Sequence, residues 1–161
     1  MQEGVIFSES IARNIAVGDG EIDRTRMEKA ARIACIHDYI SGLPLGYDTL
    51  IGRDGKGLSL GQKQRILIAR AVYKDPDFIF FDEATNSLDA RNEREITDNL
   101  KEFYRGRTVI VVAHRLSTVK DADRIVVLDK GRVVEIGTHD DLIENQGVYY
   151  SLVRNQLELG T

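Results

Sequence analysis

No stretch of this chain follows the Gly-x-x-x-x-Gly-Lys-Ser/Thr pattern whose backbone cradles the phosphates of a nucleoside triphosphate. A single cysteine, Cys35, excludes an internal disulfide framework and suits a reducing compartment. It reads as a small core residue, with no support for a nucleophilic role. No apolar run approaches the roughly 18 residues that a membrane helix needs. Met1 to Gly4 lack the basic and apolar regions of a signal peptide. The formal net charge of −4 argues against a nucleic-acid surface, which carries a basic excess. What is present, 42% apolar and 30% charged residues over 161 positions, is enough for one globular domain with a real core. The expectation is a soluble, cytosolic α/β domain.

Residues from about Ser8 to Leu43 read as helical. Ser8 is a candidate cap for a short helix through Ile11, Ile15 and Val17, broken by Gly18-Asp19-Gly20. A longer amphipathic helix follows, with Ile22, Met27, Ala30, Ala31, Ala34 and Cys35 spaced to share a face. Pro44 to Gly57 reads as a loop. Ser59 then opens a helix to about Lys74, and Asp75-Pro76 ends it. Phe78 to Phe81 is an uninterrupted apolar run, expected for a strand covered on both faces. Asp89 caps a polar helix to about Tyr104. Thr108 to Ala113 is a second buried strand, followed by a short helix around Ser117 to Lys120. Arg124 to Leu128 and Arg132 to Ile136 form a hairpin around Asp129-Lys130-Gly131. Thr138 and Asp141 stand at capping-box spacing before a last helical region. Strand–helix alternation makes the second half a parallel-sheet α/β unit.

Two elements carry the chemistry. Asp82 and Glu83 end an apolar strand, the edge where open α/β sheets bind ligands. There Asp82 can hold Mg²⁺ through water, and Glu83 can orient or deprotonate an attacking water. Alone, such a pair is more often a turn cap beside a solvated charge. Ser59-Leu60-Gly61-Gln62 places a hydroxyl and free backbone N–H groups at a helix start, where a phosphate is favoured. Alone, it is more often an ordinary serine cap. The two together at this spacing are far less expected by chance. His114, directly after the strand 108–113, can donate to a terminal phosphate, although a lone histidine there is commonly a satisfied loop residue. Gln2 can offer its amide oxygen to Mg²⁺ or to water, or simply be solvated. Ser87-Leu88-Asp89 also has a plain explanation as turn and helix cap.

As a set, these residues resemble the nucleotide-binding domain of ATP-binding-cassette (ABC) transporters, along the whole chain and in the family's order. The resemblance makes Gln2 the Q-loop glutamine. Leu58 to Gln62 becomes the signature motif, and Phe78 to Glu83 the Walker B strand with its glutamate. It makes Ser87-Leu88-Asp89 the D-loop and His114 the switch histidine. Phe7 to Ile15 and Gly137 to Leu142 look like exporter-type members, including peptide or bacteriocin exporters. The fold so implied is P-loop NTPase-like, a parallel sheet with a helical subdomain. Residues 1–75 would form the Q-loop and helical part, and 76–161 the Walker B, D-loop and switch part.

By the same resemblance, ATP and Mg²⁺ are the cofactors. Glu83 activates water, while His114 and Gln2 position phosphate, water and metal. Asp82 and Gln2 serve the metal. Ser59, Gly61, Gln62 and Asp89 contact nucleotide. A second nucleotide-binding domain would meet this one head to tail, with transmembrane domains of the same transporter on the cytoplasmic face of the membrane. The pattern departs from the family at Leu60, which replaces the first glycine of the signature pair and would tune that contact. It also departs in the missing Walker A loop, which would precede Gln2. The isolated chain is therefore expected to bind ATP very weakly and not to hydrolyse it, and to self-associate through unpaired strand edges. Two rivals stand beside this reading. One is the ATPase head of a DNA-repair or chromosome-structure protein, which would bring heptads or a basic face; neither is present. The other is a non-catalytic interaction fragment. The transported substrate is not written in these residues.

Overall fold

The structure, a computed structural model, describes residues 4–52, 57–82, 90–112 and 119–159. Residues up to Ile110 pack as one compact unit and those from Val111 onward as a second.

The first unit opens with four helices. Helix α1 spans Ile11–Ile15 and is capped by Ser10, whose hydroxyl accepts from the Arg13 N–H at 3.2 Å. The cap is two residues later than the expected Ser8, because Ser10 is held extended in a bridge to Leu50, with the Ile11 N–H donating to the Thr49 carbonyl and the Glu9 carbonyl accepting from the Ile51 N–H. Helix α2 spans Arg24–Ile33 and is capped by Asp23 through the Arg26 N–H. It does not run on as expected. Cys35 takes a positive φ of 51°. Its N–H donates to Arg32 and that of Ile36 to Ala31, the double closure of a Schellman end. A separate helix α3, His37–Ser41, follows, and a 3₁₀ turn at Gly46–Asp48 interrupts the expected loop. Helix α4 spans Leu60–Lys74 and ends at Asp75, whose φ and ψ of 50° and 53° are left-handed. Its start and stop are those expected from Ser59 and Asp75-Pro76.

Ile11, Ile15, Met27, Ile36, Ile40, Ile66 and Tyr73 are almost fully buried in the core that α1 to α4 share. Each such aliphatic side chain is worth roughly 1.5–3 kcal/mol of burial. Strand β1 (Phe78–Asp82), helix α5 (Ala90–Tyr104) and the first residues of strand β2 (Thr108–Val112) complete the unit's chain order. The strands are neighbours in a two-stranded sheet. The Thr108 N–H donates to the Asp77 carbonyl at 3.1 Å, joining their starts so that they run the same way. Ile79 is buried, but Phe78 is 76% and Phe80 59% exposed. The expectation of a strand covered on both faces is thus corrected. Side chains alternate along a strand, and among the described residues only the Ile79 face is covered.

In the second unit β3 (Ile125–Asp129) pairs antiparallel with β4 (Arg132–Gly137). Lys130 and Gly131, with φ of 47° and 75°, make the two-residue turn of left-handed conformations that a tight hairpin needs. The register slips after Val127, leaving Val134 as an extra residue opposite the step to Leu128. Helix α6 (His139–Glu144) opens on the expected Thr138–Asp141 capping box. Helix α7 spans Val148–Leu159. Its first N–H groups, from Val148 and Tyr149, donate to the Glu135 carboxylate at 2.7 and 2.9 Å. Ile125, Val127, Leu142, Tyr149 and Val153 form this unit's own core. Among the described residues, no helix is long and apolar enough to cross a membrane.

Candidate functional site

The site is best described at the start of α4. Ser59 is extended, with φ −67° and ψ 161°, and forms both halves of a capping box. The Gln62 N–H donates to the Ser59 hydroxyl oxygen at 3.2 Å, and the Ser59 N–H to the Gln62 side-chain oxygen at 2.8 Å. The Lys63 N–H closes the first turn on the Ser59 carbonyl at 3.0 Å. Among the hydrogen bonds of the described residues, the N–H groups of Leu60 and Gly61 take no part, and they lie in the first turn of the helix, where the dipole is positive. Among the described residues, the Ser59 hydroxyl oxygen acts as an acceptor toward Gln62, which leaves its proton outside that bond. Leu60 is 68% exposed and so lends nothing to the core. A hydroxyl and two backbone donors of this kind fit the oxygens of a terminal phosphate.

Arg65 fixes this helix start in place. Its Nε donates to the Gly61 carbonyl at 3.3 Å and its Nη1 to the Cys35 carbonyl at 3.0 Å, joining α4 to the left-handed end of α2. Arg65, Arg70 and Asn14 tie α4 to the segments packed on it, and sequence reasoning passed over them. Their partners are up to 65 positions away, so no local pattern marks them.

Asp82 closes strand β1, at the carboxyl end where a metal-holding carboxylate is expected. Gln2, Glu83, Asp89 and His114 lie outside the described residues. Among the described residues there is no group of three or more His, Cys, Asp or Glu that would hold a metal ion.

A family model described as ABC transporter matches residues 1–86, more than half of the chain. An ATP-dependent lipid A-core flippase of Saccharophagus degradans is 48% identical over 155 residues, 96% of this chain and 26% of its own length. A toxin RTX-III translocation ATP-binding protein of Actinobacillus pleuropneumoniae is 50% identical over 159 residues, covering 98% of this chain and 22% of its own. Among solved structures, a bacterial Atm1-family ABC exporter with ATP bound superposes with a TM-score of 0.89 at 44% identity. That match covers 96% of this chain and 27% of the solved one. The chain thus spans about a quarter of the length of the proteins it matches.

Proposed function

Because the chain belongs to the ABC transporter family, exporter type, and has that family's ATPase fold, we propose that it supplies the water-activating and phosphate-contacting residues of an ATPase that drives export across a membrane. ATP and Mg²⁺ would supply the scissile phosphoryl group and its charge neutralisation. Glu83 holds and deprotonates the attacking water. Asp82 and Gln2 hold the metal's water shell, and His114 donates to the terminal phosphate. Gln62 sets the turn from which Ser59 and Gly61 donate to phosphate oxygens, and Asp89 borders the nucleotide. Residues 1–75 form the helical, signature-bearing part and 76–161 the part that carries the water-activating group.

The observation that carries this reading is the helix start of α4, where the Ser59 hydroxyl proton and two backbone N–H groups enter no hydrogen bond among the described residues. Those donors serve a second copy of the domain packed head to tail, and transmembrane domains on the cytoplasmic side receive the motion. The 161-residue chain alone lacks a phosphate-cradling loop and lysine, so by itself it turns over no ATP. Hydrolysis by a protein of the relatives' length that includes these residues tests the reading. Glu83→Gln is expected to lower kcat by about 100-fold or more with ATP binding retained. A rate within twofold of the unaltered protein contradicts it.

A further inference from the structure

We propose that the cavity between α2, α5 and the end of α4 binds a small organic phosphate, a phosphate monoester carried on an apolar body. The cavity measures about 680 Å³, within the range of small-molecule sites. The two helices line it with matching faces. Arg26, Lys29, Ala30 and Ile33 recur at helical spacing along α2, as do Asn99, Glu102 and Phe103 along α5. Val72 and Asp75 add the end of α4 to the wall. That wall is divided by chemistry. Ala30 and Val72 are buried and Ile33 and Phe103 half-buried, so its inner part is apolar. Its outer part is charged and mostly positive. Arg26, Lys29, Arg32 and Arg107 bring four cations, and Asp75 and Glu102 two carboxylates, a net +2 within a chain of net charge −4.

Two of these charges already answer each other. Arg107 donates through Nη2 to the Asp75 carboxylate at 2.5 Å and through Nη1 to the Phe103 carbonyl, and its guanidinium lies 4.3 Å from the centre of the Phe103 ring. Arg107 is thus part of the wall. Arg26 lies over the Tyr73 ring at 4.9 Å. Lys29 and Arg32 are different: among the described residues, neither side chain enters a hydrogen bond or an ion pair. They stand three residues apart on one helix, where like charges repel. A dianion between them relieves that repulsion and accepts charge-assisted hydrogen bonds from both, one of them from a guanidinium fork suited to phosphate oxygens. Glu102 works against an anion, and Arg26, Lys29 and Arg32 outnumber it. A bare ion would leave the rest of the cavity, lined by Ile33 and Phe103, facing water; an apolar body on the phosphate covers it. None of these residues is among those proposed to act on ATP, so the site holds or fails independently of that reading.

The test uses a protein of the relatives' length that includes this chain, held in nanodiscs of a zwitterionic lipid, with naphthyl phosphate as the probe and titration calorimetry as the readout. The unaltered protein is expected to bind naphthyl phosphate, and inorganic phosphate about tenfold or more weakly. Lys29→Gln combined with Arg32→Gln is expected to weaken the probe about tenfold or more, with far-UV circular dichroism unchanged. Glu102→Gln is expected to tighten it about twofold or more. Opposite directions from the two variants separate lost contacts from lost folding. Absence of probe binding, or binding that survives unchanged in the double variant, overturns the proposal. So does inorganic phosphate that binds as tightly as the ester, or a Glu102→Gln protein that binds no tighter. Adding phosphatidic acid to the nanodiscs separates two sources of the same chemistry. Weaker probe binding there identifies a lipid headgroup as the occupant, and unchanged binding a free phosphate ester.

Discussion

Replacing Ser59 separates what this residue does for the fold from what it does for a ligand. Ser59→Ala removes the acceptor for the Gln62 N–H but leaves the Ser59 N–H to Gln62 side-chain bond in place. Ser59 is exposed, so the released donor turns to water and avoids the larger penalty of a buried orphan. The loss is that of an N-cap, about 1 kcal/mol. It is confined to the first turn, because Ile66, Ala69 and Tyr73 pin the rest of α4 in the core. Ser59→Asp is different. Aspartate caps as well as serine and is favoured by the helix dipole, so stability stays within about 0.5 kcal/mol. Its carboxylate, though, stands where a phosphate oxygen is expected. Two like charges 4 Å apart at an effective dielectric of 20 repel by about 4 kcal/mol. Urea unfolding of the chain, followed by far-UV circular dichroism, reads the first effect. ATP-dependent association of a protein of the relatives' length, by sedimentation, reads the second. An unchanged urea midpoint in Ser59→Ala, or unweakened association in Ser59→Asp, refutes the reasoning.

Tyr73→Phe removes the buried hydroxyl that accepts from the Asp23 N–H at 3.2 Å, the residue that caps α2. Urea unfolding should show a loss of about 1 kcal/mol. Gly131→Ala forces a Cβ into a turn position with φ of 75° and should destabilise the second unit by about 1–2 kcal/mol, seen as faster amide exchange along β3 and β4. The hydroxyl and backbone N–H of Thr138 hold the Asp141 carboxyl below the usual carboxylate range. A depressed folded value means that the cap's contribution is present above the ordinary carboxylate pKa and lost as pH falls through the depressed one. An NMR titration of Asp141 should show this, and Thr138→Ala should move the midpoint back up.

Where the chain signals its own boundaries, the sequence was a sufficient guide. Ser59 and Asp75-Pro76 bound α4, Lys130-Gly131 turns the hairpin, and Thr138 with Asp141 opens α6. These are local effects of capping and of left-handed backbone. The departures have long-range causes. The cap of α1 moves from Ser8 to Ser10 because Ser10 is held extended against the distant Leu50. The break after α2 falls on Cys35, a residue with no left-handed preference, whose carbonyl is gripped by Arg65 from 30 positions away. Phe78 and Phe80 read as core from apolarity alone, yet alternation sends them away from Ile79. Of the candidate site, Ser59, Gly61 and Gln62 are brought together on one helix turn as their spacing implied. The Arg70–Asn14 network farther along the same helix was illegible, since an asparagine in a short helix gives no sign of its burial.

The head-to-tail arrangement, with Ser59 and Glu83 of one copy serving different ATP sites, is tested most directly in a two-copy exporter whose copies differ. With Glu83→Gln in one copy and Ser59→Asp in the other, both changes fall in one site and the second stays whole. With both changes in the same copy, each site loses one residue. The account predicts that the first protein hydrolyses ATP and the second is slower by about 100-fold or more. Equal rates, or the faster rate in the second protein, would contradict it.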